Sequence, residues 1–189
     1  MDIYEQLDGT TNVLLAEPPM AQGRDVCTSL LAGQQSNPSV LFVTYTRSPA
    51  ACLNQLDGHD HSENVGVITV GDNAASIDGV VTESVSTASD LTGLGIAIGQ
   101  FLSRWDDSVY VCFDSVTSML QYVDVTTAYE FLHAITGQIH AAGASSHFHI
   151  DPNAHDDQDV ASITSLFDAK VSLEGETTVR TRELLEPTD

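Results

Sequence analysis

Residues 109–115 read Val-Tyr-Val-Cys-Phe-Asp-Ser, five apolar residues closed by an aspartate and a serine. A run this short does not make a stable helix, and its β-branched and aromatic residues favour a pleated strand. Both alternating faces of the run are apolar, so the strand belongs in a sheet covered on both sides, the usual setting of parallel strands. The pattern recurs at Asn12–Ala16 (NVLLA), Val40–Thr44 (VLFVT), Val65–Val70 (VGVITV), His147–Ile150 (HFHI) and Ala169–Leu173 (AKVSL).

Longer amphipathic stretches separate these strands. Asp90 is placed to cap a helix running to about Trp105, with Leu91, Leu94, Ile98, Phe101 and Leu102 on one stripe. Thr126 to Ala142 carries Phe131, Leu132, Ile135 and Ile139, and Gly143 follows where a left-handed residue closes a helix. A third helix is expected from about Asp156 to Leu166. Strands alternating with helices imply right-handed βαβ crossovers. The predicted fold is a single three-layer α/β/α domain with a mainly parallel sheet over residues 1–183, followed by a short tail at 184–189.

The charge balance constrains the environment and the partners. Among 189 residues, 27 acids face six bases, Lys170 is the only lysine, and the net charge is −21. Such a surface repels itself in dilute buffer, whereas molar salt shortens the screening length to a few ångströms and makes it tolerable. The acids are dispersed along the chain and do not form the block typical of an acidic interaction tail. Dispersed acid with almost no lysine is the composition of proteins from salt-accumulating archaeal cytoplasms, and a high-K+ setting is expected here. Nucleic acid is excluded as a partner, because phosphate binding relies on clusters of Lys and Arg. Membrane insertion is not expected: no apolar run approaches the ~20 residues of a span, and the start, MDIYEQLDG, does not read as a signal peptide. Cys27, Cys52 and Cys112 are widely spaced without a CxxC pair and read as reduced, mostly buried thiols of a cytoplasmic protein.

In open α/β sheets ligands sit at the carboxyl ends of the strands. The loop after the first strand, Glu17-Pro-Pro-Met-Ala-Gln-Gly-Arg-Asp25, stands where a phosphate cradle would be. Such a cradle uses glycines, a lysine and a Ser/Thr for Mg²⁺. This loop offers Gly23 alone, and its two prolines cannot donate an N–H. Arg24 can supply a positive charge, but Asp25 occupies the place of the hydroxyl and Glu17 adds negative charge. After Phe113, the pair Asp114-Ser115 has the Walker B arrangement, a carboxylate where Mg²⁺ would sit. Arg47 falls at the rim of the same crevice, able to hold an anion or pair with Asp114. The nucleotide-site candidates are therefore Gly23, Arg24, Asp25, Arg47, Asp114 and Ser115, and ATP with Mg²⁺ is the one cofactor they suggest.

A second constellation is His147-Phe-His-Ile-Asp151 with His155 beyond it. Period-two alternation puts His147, His149 and Asp151 on one strand face, a possible facial metal triad with His155 as a fourth ligand. The alternative is a polar strand end whose side chains bond neighbouring loops, with Asp156 capping the next helix. His59 and His61 fall in an acidic, solvated loop, and His133 and His140 read as surface or edge positions. Gly93, Gly95 and Gly99 admit a close backbone approach, within the domain or between subunits.

NVLLAEPP, VLFVTYTRSP, VYVCFDSVTSML and SLFDAKVSLEG occur in the order and spacing of the RecA/KaiC-like ATPase core, which the chain resembles over roughly residues 10–175. DLTGLGIAIGQFLSRWDD, CFDSVTSMLQYVD and HFHIDPNAHDD resemble, more closely, a haloarchaeal KaiC-like family of unassigned function with a degenerate Walker A loop. The resemblance implies a P-loop-type sheet, a Walker A lysine, a Walker B aspartate and paired catalytic glutamates after the second strand. Asp114 matches the aspartate. The lysine is missing, and Thr46 and Arg47 stand where the glutamates belong, a pair unable to serve as the base that activates water. ATP hydrolysis is not expected. The resemblance points instead to a pseudo-ATPase with a regulatory or assembly role, working through a protein partner or self-association. Two alternatives are a weak nucleotide switch using Arg24 and Asp114, and a metal-dependent hydrolase using His147, His149 and Asp151.

Overall fold

The computed structural model describes residues 2–19, 23–32, 38–56, 64–71, 76–105 and 108–182. Eight strands form one sheet: β1 (Asn12–Ala16), β2 (Ser39–Thr44), β3 (Val65–Val70), β4 (Val81–Val85), β5 (Val109–Asp114), β6 (Ser145–Ile150), β7 (Ala169–Ser172) and β8 (Thr178–Thr181). Their spatial order is β4-β3-β2-β5-β6-β1-β7-β8. Every neighbouring pair is parallel except β7 and β8. The helices are α1 (Ile3–Gln6), α2 (Gly23–Ala32), α3 (Pro49–Asn54), α4 (Leu91–Arg104), α5 (Val116–Met119), α6 (Val125–Ala141) and α7 (Asp157–Thr164).

Side-chain alternation along the strands sends apolar residues to both faces, producing the expected three layers. Leu14, Leu41, Ile68, Val111, Phe113 and Phe148 face one way and pack against α4, α6 and α7 through Leu94, Ile98, Leu132, Ile139 and Ile163. Phe113 and Phe148 stack there with ring centres 4.8 Å apart. Val13, Leu15, Phe42, Val67, Tyr110 and Cys112 face the other way, toward Cys27, Leu30 and Leu31 of α2 and Cys52 of α3. Each large side chain removed from water on either face contributes roughly 1.5–3 kcal/mol before its entropy cost.

Five of the six anticipated strands form within a residue of their predicted ends, β6 starts two residues earlier than expected, at Ser145, and two further strands lie at the sheet edges. β4 (VTESV) is largely exposed and β8 (TVRT) carries no fully buried residue. Charged and polar side chains suit an edge, where they discourage pairing with another sheet, but they erase the apolar run that marks a strand in sequence.

Helix ends follow local chemistry. The Asp90 carboxylate accepts from the Gly93 amide at 2.9 Å to start α4, and Asp124 does the same from the Thr127 amide at 2.8 Å, so that α6 begins at Val125, one residue before the expected start at Thr126. At the end of α6, Gly143 has φ +69°. Its amide bonds the His140 carbonyl and that of Ala144 bonds the Ile139 carbonyl, the Schellman closure. The loop holding His59 and His61 and the tail at 184–189 lie outside the described residues. No helix among the described residues is long and apolar enough to cross a membrane.

Candidate functional site

Chain direction creates a crevice. After β1 the chain turns to α2 on one side of the sheet, and after the adjacent β6 it turns to α7 on the other. Connections diverging from neighbouring strands leave a cleft at their carboxyl ends. The cavity there measures about 440 Å³ and its walls include Glu17, Arg24, Arg47, Asp114, His149 and Asp151.

The structure brings most of the nucleotide-site candidates to this cleft and shows how their polar groups are used. Arg47 Nη1 lies 3.9 Å from Asp114 Oδ2, Nη2 donates to the Ala51 carbonyl at 3.1 Å, and the Arg47 amide donates to Thr44 Oγ1 at 2.8 Å. The guanidinium is thus turned onto its own chain. Ser115 lines the cavity, but its hydroxyl caps α5 by accepting from the Ser118 amide at 3.1 Å. Arg24 and Asp25 are exposed in the first turn of α2, and only Arg24 reaches the cavity wall. Gly23 is buried beneath Glu17, whose carboxylate occupies the space that any Cβ at Gly23 would enter.

Beneath the cleft lies a cluster of four buried groups. His147 and His149 share one face of β6, as period two requires, while Phe148 and Ile150 take the other. On the histidine side, β6 lies next to β5, where Cys112 is the register partner of His147, and α2 lowers Cys27 onto both strands. Cys27 Sγ is 3.8 Å from Cys112 Sγ. His147 Nε2 is 3.1 Å from Cys27 Sγ, and His149 Nε2 is 3.5 Å from Cys112 Sγ. All four atoms lie within 4.8 Å of one another. The outward nitrogens are also occupied: His149 Nδ1 meets Glu17 Oε1 at 2.6 Å and His147 Nδ1 meets the Tyr110 hydroxyl at 2.9 Å.

Asp151 and His155 go elsewhere. β6 ends at Ile150 and Pro152 opens a 3-10 turn, so strand alternation stops short of Asp151. Its carboxylate accepts from the Asn153 amide at 2.9 Å, and His155 Nε2 meets Thr117 Oγ1 at 3.0 Å. The predicted ligand set of His147, His149, Asp151 and His155 is therefore split in two, and the cysteines take the places beside the first pair. Cys27 and Cys112 carried no spacing signal, because 85 residues separate them. Only the pairing of β5 with β6 and the seating of α2 unite them.

These contacts polarise the cluster. The hydrogen bond from Cys112 holds the Cys27 thiol well below its usual range despite burial. The same bond, with burial, pushes Cys112 well up. Burial opposes charge on His149, but the Cys27 thiolate and Glu17 outweigh it and raise its pKa well above the normal histidine value. All three cysteines are free and buried.

The glycines of α4 serve packing within the chain. Gly95 lies against Phe131 and Gly99 against Gln138, both of α6. His133 and His140 are exposed, as expected.

Fold and cleft together define a mainly parallel α/β protein with a crevice at a switch point and a thiol–imidazole cluster under its floor. The chain belongs to a family of unknown function, DUF7504, whose pattern matches residues 10–173. No curated protein gives a significant match. Among solved structures it is similar to one from a structural study of PH0250 of Pyrococcus horikoshii OT3, at 13% identity and a TM-score of 0.63, covering 90% of this chain and 86% of that one. It is also similar to the uncharacterized protein PH0321 from Pyrococcus horikoshii in complex with an unknown peptide, at 14% identity and a TM-score of 0.64, covering 94% and 89%. At these identities the likeness is one of fold.

Proposed function

We propose that this chain is a non-hydrolysing relative of the RecA/KaiC-like ATPases that acts by binding, as a regulatory or assembly protein of a salt-rich cytoplasm. The observation that carries this reading is the use of charge in the cleft. The Arg47 guanidinium is held by Asp114 and the Ala51 carbonyl, and the Glu17 carboxylate lies over Gly23, so a polyphosphate would meet carboxylates where it needs donors. No lysine replaces them, since Lys170 belongs to β7. A carboxylate at Asp114 without a catalytic base can at most help hold a cation.

The partner is a protein segment or a second copy of the chain. PH0321, similar in fold, was solved in complex with an unknown peptide, which makes a peptide segment the first partner class to try. The decisive experiment is equilibrium binding of labelled ATP with Mg²⁺ to folded protein in roughly 2–3 M KCl, together with phosphate release. The expected result is no saturable binding and no release above the protein-free rate. Saturable binding that disappears in Asp114→Ala would overturn the reading and make the chain a nucleotide-gated switch.

A further inference from the structure

We propose that Cys27, Cys112, His147 and His149 form a closed, buried zinc site with two thiolate and two imidazole ligands. The proposal stands on geometry independent of the cleft's charge. Zinc bound tetrahedrally has Zn–S near 2.3 Å and Zn–N near 2.0–2.1 Å. Tetrahedral angles then place two sulfurs about 3.8 Å apart and a sulfur and nitrogen about 3.6 Å apart. The two sulfurs here are 3.8 Å apart, and the Cys112–His149 pair is at 3.5 Å. The Cys27–His147 pair, at 3.1 Å, needs to open by about half an ångström.

Four features agree with metal binding beyond the distances. Each histidine turns Nε2 inward and has its Nδ1 held from outside, one by the Glu17 carboxylate and one by the Tyr110 hydroxyl. Such outer partners fix ring orientation at metal sites. The Gln55 side-chain amide donates to Cys27 Sγ at 2.9 Å, a bond that suits a sulfur carrying negative charge. Two thiolates balance the dication, leaving a neutral centre, the form in which a buried ionic group is least costly. Cys27 and His149 also border the cleft, which gives an ion a way in.

Two sulfurs and two imidazole nitrogens in a tetrahedron select zinc over hard cations. A complete set of four protein ligands leaves no position for water, so the site is structural or regulatory and does not generate hydroxide for hydrolysis. The ion would join α2 to β5 and β6, elements whose ligands lie up to 122 residues apart in the chain (149 − 27).

The test uses the full chain, purified reduced in molar KCl and freed of metal by chelator, then titrated with zinc and with cobalt(II). One zinc per chain is expected. Cobalt should give the intense visible bands of a tetrahedral ion with a thiolate charge-transfer band, and X-ray absorption should resolve sulfur and nitrogen shells in equal number. Cys112→Ser and His147→Gln should lose this binding, Glu17→Gln should weaken it by about 10–100-fold, and Cys52→Ser should leave it unchanged. The proposal fails if the folded, reduced wild-type chain stays metal-free in excess zinc, if cobalt shows an octahedral spectrum, or if Cys112→Ser binds as tightly as the parent. It fails equally if Cys27 is alkylated at the same rate with and without zinc. Should a variant not fold, the wild-type stoichiometry and cobalt spectrum decide the matter alone.

Discussion

Cys52 sits fully buried in α3, and burial lifts its thiol from 9.0 to about 11, the nearby Arg47 only partly opposing this. The unfolded chain therefore ionises this thiol first as pH rises. Its contribution to stability is complete below about pH 9 and is lost progressively toward pH 11, up to roughly 3 kcal/mol at 1.36 kcal/mol per pH unit. Denaturant midpoints measured from pH 8 to 11 should fall less steeply in Cys52→Ala than in the parent; parallel slopes would remove this account. At this scale sequence was a partial guide. Period two correctly paired His147 with His149, because a strand alternates whatever surrounds it. It failed at Asp151, where Pro152 had already turned the chain. It was silent on Cys27 and Cys112, because nothing local marks residues that meet only through sheet order and helix docking.

Among the elements, β3 shows how packing overrides propensity. Gly66 is a poor strand residue, yet the rings of Phe101 and Trp105 at the end of α4 fill the space a Cβ there would need, Phe101 closest and Trp105 2.9 Å from where it would stand. Gly66→Val would improve intrinsic strand preference while forcing two aromatic rings apart. We expect a net loss of about 1–3 kcal/mol from overpacking, read as a lower urea midpoint at unchanged slope. A neutral or stabilised variant would show that α4 slides freely on the sheet. The central strands were legible because they are apolar on both faces, and α4 and α6 because their stripes and caps agree. β4 and β8 were not, since an exposed edge strand such as VTESV has the composition of a loop.

For the whole molecule, surface charge is the property with the largest reach. A net charge of −21 on 189 residues produces repulsion that is screened over about 10 Å at 0.1 M salt and about 3 Å at 1 M. The melting temperature should therefore climb steeply as KCl rises from about 0.1 to 2 M, and the protein should lose structure in the most dilute buffers. A melting temperature independent of KCl would count against a salt-rich home. The α/β class and the single, mainly parallel sheet followed from strand–helix alternation alone. The cleft's position followed from the same rule, but how its charges cancel depended on side-chain directions that no sequence pattern carries.

The sheet order also governs how the chain can assemble. β1 pairs only with β6 and β7, so this strand has no neighbour until residues past 144 have been synthesised. β2, β3 and β5 can associate earlier, whereas β1 must be held in reserve and then inserted between two latecomers. Contacts of such long sequence separation slow folding, and until they form β5 presents an open edge to any other chain nearby.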